Sequence, residues 1–273
     1  MASAGEEYGP APGTGSGLPY TSKLFAARAA LLVILLLGWH WLSIRLGPFV
    51  LPDLLEVARR LLEICASGEL LSMSAITLGE VAGGLILGGG LGILLPFLVS
   101  RSPRLARTVE PFIKMTMGVP KLALSPIIIL WFGIGLFSKI VLIALMVFFM
   151  IFVSTFAGIR SADIKLMSMC RILGANQTRL TREILWYSAL PFIMAAIKTA
   201  LPWAINAAIV AEFLAADAGL GYYIRHAYDS ADTVGAFAGV VAVTILMVLI
   251  DFGFSAFQKY MLRWRQVDVH AVH

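Results

Sequence analysis

The sequence predicts an all-α, polytopic membrane protein with six transmembrane helices, on three observations. The 273 residues are 59% hydrophobic and only 14% charged, and with a mean hydropathy of +0.88 their solvent is lipid rather than water. Apolar runs long enough to cross a bilayer, which takes about 20 residues, recur along the chain. Lysine and arginine gather in alternate connections between those runs, the pattern that sets orientation in a membrane.

Residues 1–22 hold Gly5, Gly9, Pro10, Pro12 and Gly13 with few large aliphatic side chains, which predicts a disordered cytoplasmic tail. Residues 23–265 form the membrane domain, and 266–273 a short C-terminal tail. The first apolar run, about 24–44, starts too late and is too long for a signal peptide, so it reads as a retained first span. Residues 52–72 are more polar, with Leu54, Val57, Ala58, Leu61 and Leu62 at helical spacing; they predict an amphipathic helix at the membrane surface. The other spans fall at about 74–99, 110–133, 138–158, 191–213 and 235–257. In the second, Gly84, Gly88 and Gly92 share one helix face, which predicts close packing against another helix. A phosphate loop there is excluded, because no Gly-Lys-Ser/Thr follows.

One set of connections carries Lys23, Arg28, Arg101, Arg104, Arg107, Arg160, Lys165, Arg171, Arg179, Arg182, Lys259, Arg263 and Arg265. The other set carries Arg45, Arg59, Arg60, Lys139 and Arg225. The bias puts both termini in the cytoplasm. The net charge of +5 is thus a topology signal, and nucleic acid is not an expected partner. Cys65 and Cys170 fall on opposite sides in that topology, so no disulfide joins them, and neither they nor the four histidines have metal-ligand spacing.

The loop over about 159–190 is the longest on the cytoplasmic side. Leu166, Met169, Cys170 and Leu173 fall at i, i+3, i+4 and i+7, one apolar stripe, while Ser168 faces elsewhere. Gly174 ends that helix, and a second helical stretch follows over 176–186. The stripe fits a hairpin lying on the bilayer as well as a docking surface for another protein.

Gly174, nine further residues and Ile184 resemble the Glu-Ala-Ala loop of binding-protein-dependent ABC permeases. Ser168-Met169-Cys170 stands where that triplet would be, and Trp186-Tyr187 where the signature has Leu-Pro. Val119-Pro120-Lys121-Leu122-Ala123-Leu124-Ser125-Pro126, then Leu130-Trp131-Phe132-Gly133-Ile134-Gly135, is similar to the third-span stretch of the nitrate, sulfonate and taurine type. Ala211-Glu212 with Gly219-Leu220-Gly221-Tyr222 is similar to the end of its fifth span. The resemblance implies the type I ABC importer permease fold and a non-catalytic subunit of the bacterial inner membrane working by alternating access. Its implied partners are a second copy, two ATPase subunits that bind the ATP and Mg, and an extracytoplasmic solute-binding protein; no cofactor belongs to this chain. It also implies that Leu166, Ser168, Met169, Cys170, Leu173, Gly174, Ala175 and Ile184 couple the spans to the ATPase. The implied cargo is a small anion such as a sulfonate, taurine or nitrate, while related permeases carry pyrimidine-like vitamin precursors.

Ionisable groups inside a bilayer ask for a pathway, a partner or a route to the interface. Lys121, between Pro120 and Pro126, can attract an anionic solute or bind carbonyls that the prolines free. Lys198 is a pathway candidate or snorkels to the interface. Trp131 and Glu212 join the pathway candidates from the resembling segments, and Glu80 and Asp251 are placed to neutralise a lysine of another helix. A secondary transporter would need a mid-membrane ion site, of which Lys121 between prolines is the one hint. An intramembrane enzyme is disfavoured because no two catalytic-type side chains share a span in useful register.

Overall fold

Lipid offers the backbone no hydrogen bonds, so a chain this apolar must satisfy its own, and the structure does so with helices. The computed structural model describes residues 18–263, which are helical apart from the connecting turns. The tails expected over 1–17 and 266–273 lie outside the described residues. Residues 18–22, expected in the first tail, open a helix instead, since a proline such as Pro19 is tolerated in a first helical turn.

The chain divides at Leu54 into two compact units. The first contains α1 (Leu18–Leu46). Gly47, with φ of 81°, reverses the chain there, and residues beyond the turn bond back to the helix. Trp39 Nε1 donates to the Pro52 carbonyl at 3.1 Å, and Ser43 Oγ to that of Leu51 at 2.9 Å.

The second unit runs through α2 (Leu54–Ala66), α3 (Glu69–Ser100), α4 (Pro103–Met117), α5 (Lys121–Phe132), α6 (Leu136–Arg160), α7 (Ile164–Ile172), α8 (Gln177–Ala215), α9 (Leu220–Asp229) and α10 (Thr233–Met261). Five helices, α1, α3, α6, α8 and α10, are each long and apolar enough to cross a membrane. The sixth expected span, 110–133, is not one straight helix: α4 and α5 meet at a bend of 82°. Pro120 has no N–H to donate and pushes Val119 out of helical geometry, so the helix stops at Met117. The remaining α5, roughly 18 Å long at 1.5 Å per residue, cannot cross about 30 Å of hydrocarbon alone.

The amphipathic helix expected over 52–72 is α2, and protein covers part of its apolar side while Ala58 and Leu62 stay exposed. Val57 and Ile64 are buried with Ala238 of α10, flanked by Leu61 and Tyr223. Arg60 of α2 bonds Asp232, whose other oxygen accepts from the Gly235 N–H at 2.9 Å and caps α10. Burial disfavours the charged Asp232, yet the Gly235 N–H and Arg60 outweigh it and hold its carboxyl below the ordinary range.

At the centre α6 lies between α3 and α8. Gly84, Gly88 and Gly92 face α6, as their spacing predicts. A Cβ on Gly84 would stand 2.2 Å from Ile143 Cγ2, and one on Gly88 2.3 Å from the Ala144 oxygen. A wider π-turn at Leu85–Gly89 offsets the drift that a four-residue spacing accumulates on a 3.6-residue turn. On the other side, Gly158 would place a Cβ 2.8 Å from Ala189 Cα, and Ser154 Oγ donates to the Phe192 carbonyl at 3.0 Å. Small residues again permit the approach: Ala196, Ala200, Ala204 and Ala208 of α8 are buried against Ile143, Val147 and Ile151.

Gly88→Ala forces a methyl against backbone and should destabilise the protein by at least about 1–3 kcal/mol. Gly90→Ala, where a Cβ meets nothing within 4 Å, should not. Thermal unfolding in detergent compares them, and equal melting would remove Gly88 from the crossing.

Candidate functional site

Among the described residues, the buried charged side chains of the second unit form one cluster where α3, α6, α8 and α9 meet. Thr77 and Glu80, one turn apart on α3, are 0% and 1% exposed, Glu212 of α8 is 0% and Lys139 of α6 is 8%. Lys139 Nζ donates to Glu80 Oε1 at 2.6 Å. Thr77 Oγ1 donates to Glu212 Oε1 at 2.7 Å and accepts from the Leu220 N–H at 3.1 Å. Glu212 Oε2 accepts from the Gly221 N–H at 2.7 Å. One lysine thus answers one carboxylate, and the N-terminus of α9 with Thr77 serves the other.

The glycines follow from that carboxylate. Gly219 has φ of 110°, and a Cβ there would fall 2.2 Å from Glu212 Oε1; one on Gly221 would fall 2.4 Å from the Ile209 oxygen. Glu212, a pathway candidate in the sequence, is therefore enclosed as a cap on α9. Lys139, counted from the sequence as a loop charge, is instead buried in the first turn of α6. The clue to it was the pair Thr77 and Glu80 at i, i+3 in an apolar run.

Lys121 sits at the bend between α4 and α5, where both of its sequence readings meet. Its Nζ donates to the carbonyls of Met117 and Val119 at 3.3 and 3.5 Å and lies 5.1 Å from the centre of the Phe149 ring. It also lines a cavity of about 320 Å³ whose other walls include Met117, Met146, Phe149, Met150 and Trp203. Trp203 of α8, which sequence reasoning did not single out, supplies the indole there. Trp131 is 73% exposed, at the far end of α5. Lys198 stands 4.0 Å from Asp251 of α10, one of the two carboxylates whose sequence positions allow them to neutralise a lysine of another helix.

The third group is the hairpin of α7. Asp163 caps its start, accepting from the Lys165 N–H at 2.7 Å. Its end is closed by bonds from Gly174 N to the Arg171 carbonyl and from Ala175 N to that of Cys170, with Gly174 at φ of 86°. The stripe expected at Leu166, Met169, Cys170 and Leu173 is split. Cys170, with Met167 and Ala175, packs against Ile159, Ala162, Leu180 and Ile184. Leu166, Ser168, Met169 and Leu173 are exposed, as are Ile164 and Ile172, which sequence reasoning missed; Ile172 is 86% and Leu173 83% exposed. Both ends of one short helix therefore present bare aliphatic side chains, and a glycine turn closes the second end.

Residues 84–266 match the family described as binding-protein-dependent transport system inner membrane component. The chain is 34% identical to the putative aliphatic sulfonates transport permease protein of Bacillus subtilis (strain 168), over 79% of this chain and 78% of that one. It is 32% identical to the formylaminopyrimidine transport permease protein of Halalkalibacterium halodurans, over 86% and 94%. A solved bacterial ABC transporter that imports the acidic polysaccharide alginate has a chain of the same fold, with a TM-score of 0.60 at 14% identity, covering 91% of this chain and all of that one.

Replacing Lys139 by Met strands the Glu80 carboxylate in the interior and should cost about 3–5 kcal/mol. Removing both charges, in Lys139→Met with Glu80→Gln, should recover most of that. Thermal unfolding of the purified variants decides it: a double variant no more stable than Lys139→Met would show that the pair does not act as a unit.

Proposed function

The chain belongs to the inner membrane component family of binding-protein-dependent transport systems, and from that premise we infer how it is driven and what it carries. It is the permease of an ABC importer. The observation that carries the mechanism is α7, a capped helix outside the spans whose Ile164, Met169, Ile172 and Leu173 are exposed and whose second end the Gly174 turn closes. An ATPase subunit that binds ATP and Mg covers these side chains, and its closure moves α7. Two ATPase subunits, two copies of this permease and an extracytoplasmic binding protein form the working complex, with both termini of the permease cytoplasmic. Nucleotide closure then biases the spans between inward and outward packings, and no chemistry occurs in this chain.

The cargo reading rests on Lys121. One cation beside the aromatic faces of Phe149 and Trp203 and three methionine side chains favours a small anion with an apolar body. The sulfonate permease among the relatives supports that choice. The formylaminopyrimidine relative supports the second reading, a flat heterocycle held between the same rings.

Burying each exposed aliphatic side chain of α7 is worth roughly 1.5–3 kcal/mol. Ile172→Ser with Leu173→Ser should therefore leave the permease in the membrane while ATPase co-purification and uptake fall at least about tenfold. Undiminished recovery and uptake would overturn α7 as the coupling element.

A further inference from the structure

Of α4 the importer reading uses only the last residue, Met117. We propose that α4 lies in the membrane–water interface and binds an anionic phospholipid, whose acyl chain enters the groove between α4 and α6. Ser102 caps the helix through the Leu105 N–H, and Pro103 occupies its first turn. Its side chains divide into two arcs. Leu105 and Phe112 lie on one and are exposed; Arg104, Arg107 and Lys114 lie on the other. No residue of α4 is buried, and the 82° bend lets α4 follow a surface while α5 enters the bilayer. A cationic arc opposite an aliphatic and aromatic one is the composition of a helix seated at lipid headgroups.

The charges identify the partner. Lys114 and Arg160 share Glu110, at 2.7 and 2.9 Å. Arg101, Arg104 and Arg107, at successive turns, are exposed and make no ion pair among the described residues. A second copy offers the same basic stripe and would repel it, whereas phosphates of an anionic leaflet neutralise it. The groove fits the rest of such a lipid. It encloses about 450 Å³, lined by Ile113, Phe152, Phe156 and Phe192 and by Lys114 and Arg160 with the Glu110 carboxylate they share. Lipid on both sides of a nanodisc makes the test independent of the orientation argued for the importer.

The test is native mass spectrometry of the purified permease after exchange into nanodiscs of phosphatidylglycerol and phosphatidylcholine. Wild type should retain phosphatidylglycerol in preference. The variant R101Q/R104Q/R107Q should lose that preference roughly fivefold for each arginine removed, with unchanged melting temperature, while Arg59→Gln on α2 retains it. Leu105→Ser with Phe112→Ser should reduce retention of both lipids. Equal retention of the two lipids by wild type, or full phosphatidylglycerol retention by the triple variant, would overturn the proposal. So would loss of the second copy in the triple variant with lipid retention intact.

Discussion

A charge inside a bilayer must be answered by another group of the protein, and in this chain that requirement ties four helices together at one point. Glu80 meets the Lys139 ammonium there, and Glu212 meets the Thr77 hydroxyl and the Gly221 N–H of α9. The consequences spread outward. Gly219 and Gly221 must lack side chains because the Glu212 side chain and the Ile209 carbonyl occupy their Cβ positions. The helices bearing these groups must approach closely, which the small residues along α3 and α8 allow. Hydrophobic driving force is weak between helices already in lipid, so packing and such polar locks decide the arrangement.

The same helices reach the hairpin at their other ends. Helix α6 begins beside Lys139 and ends at Arg160, four residues before α7; α8 begins just after α7 and carries Glu212 near its C-terminus. Between those ends α6 and α8 are in contact at Gly158 and Ala189 and through Ser154 and Phe192. A displacement imposed on α7 therefore enters two stiff helices whose far ends are both bonded to α3. The physical warrant for coupling is this continuity of packed helices, rather than any chemistry along the way.

Much of this was legible in the sequence because lipid leaves the chain few choices. The spans followed from apolar length, and the crossing of α3 followed from Gly84, Gly88 and Gly92. The Glu212 and Gly219-Leu220-Gly221 segments were noticed by resemblance, yet their physical bond runs between residues that one-dimensional reading does not pair. Lys139 was misplaced because a lysine just past Gly133 and Gly135 looks like a loop charge until its partner, 59 positions away, is known. Pro120 was visible, but an unbroken apolar count from 110 to 133 outweighed it. On α7 the stripe was rotated: periodicity shows that faces differ, but not which one Ile184 and Leu180 cover.

The central claim is that the knot makes the ends of α3 and α8 move as one body while the protein changes state. Spin labels at the exposed positions Leu71 on α3 and Leu214 on α8, in labelled permease diluted with unlabelled copies, report their separation by pulsed dipolar spectroscopy. The account predicts one distance distribution, unchanged between the nucleotide-free and ATP-trapped complexes. A shift approaching one helical turn, about 5.4 Å, would show that these helices slide past each other and would contradict it.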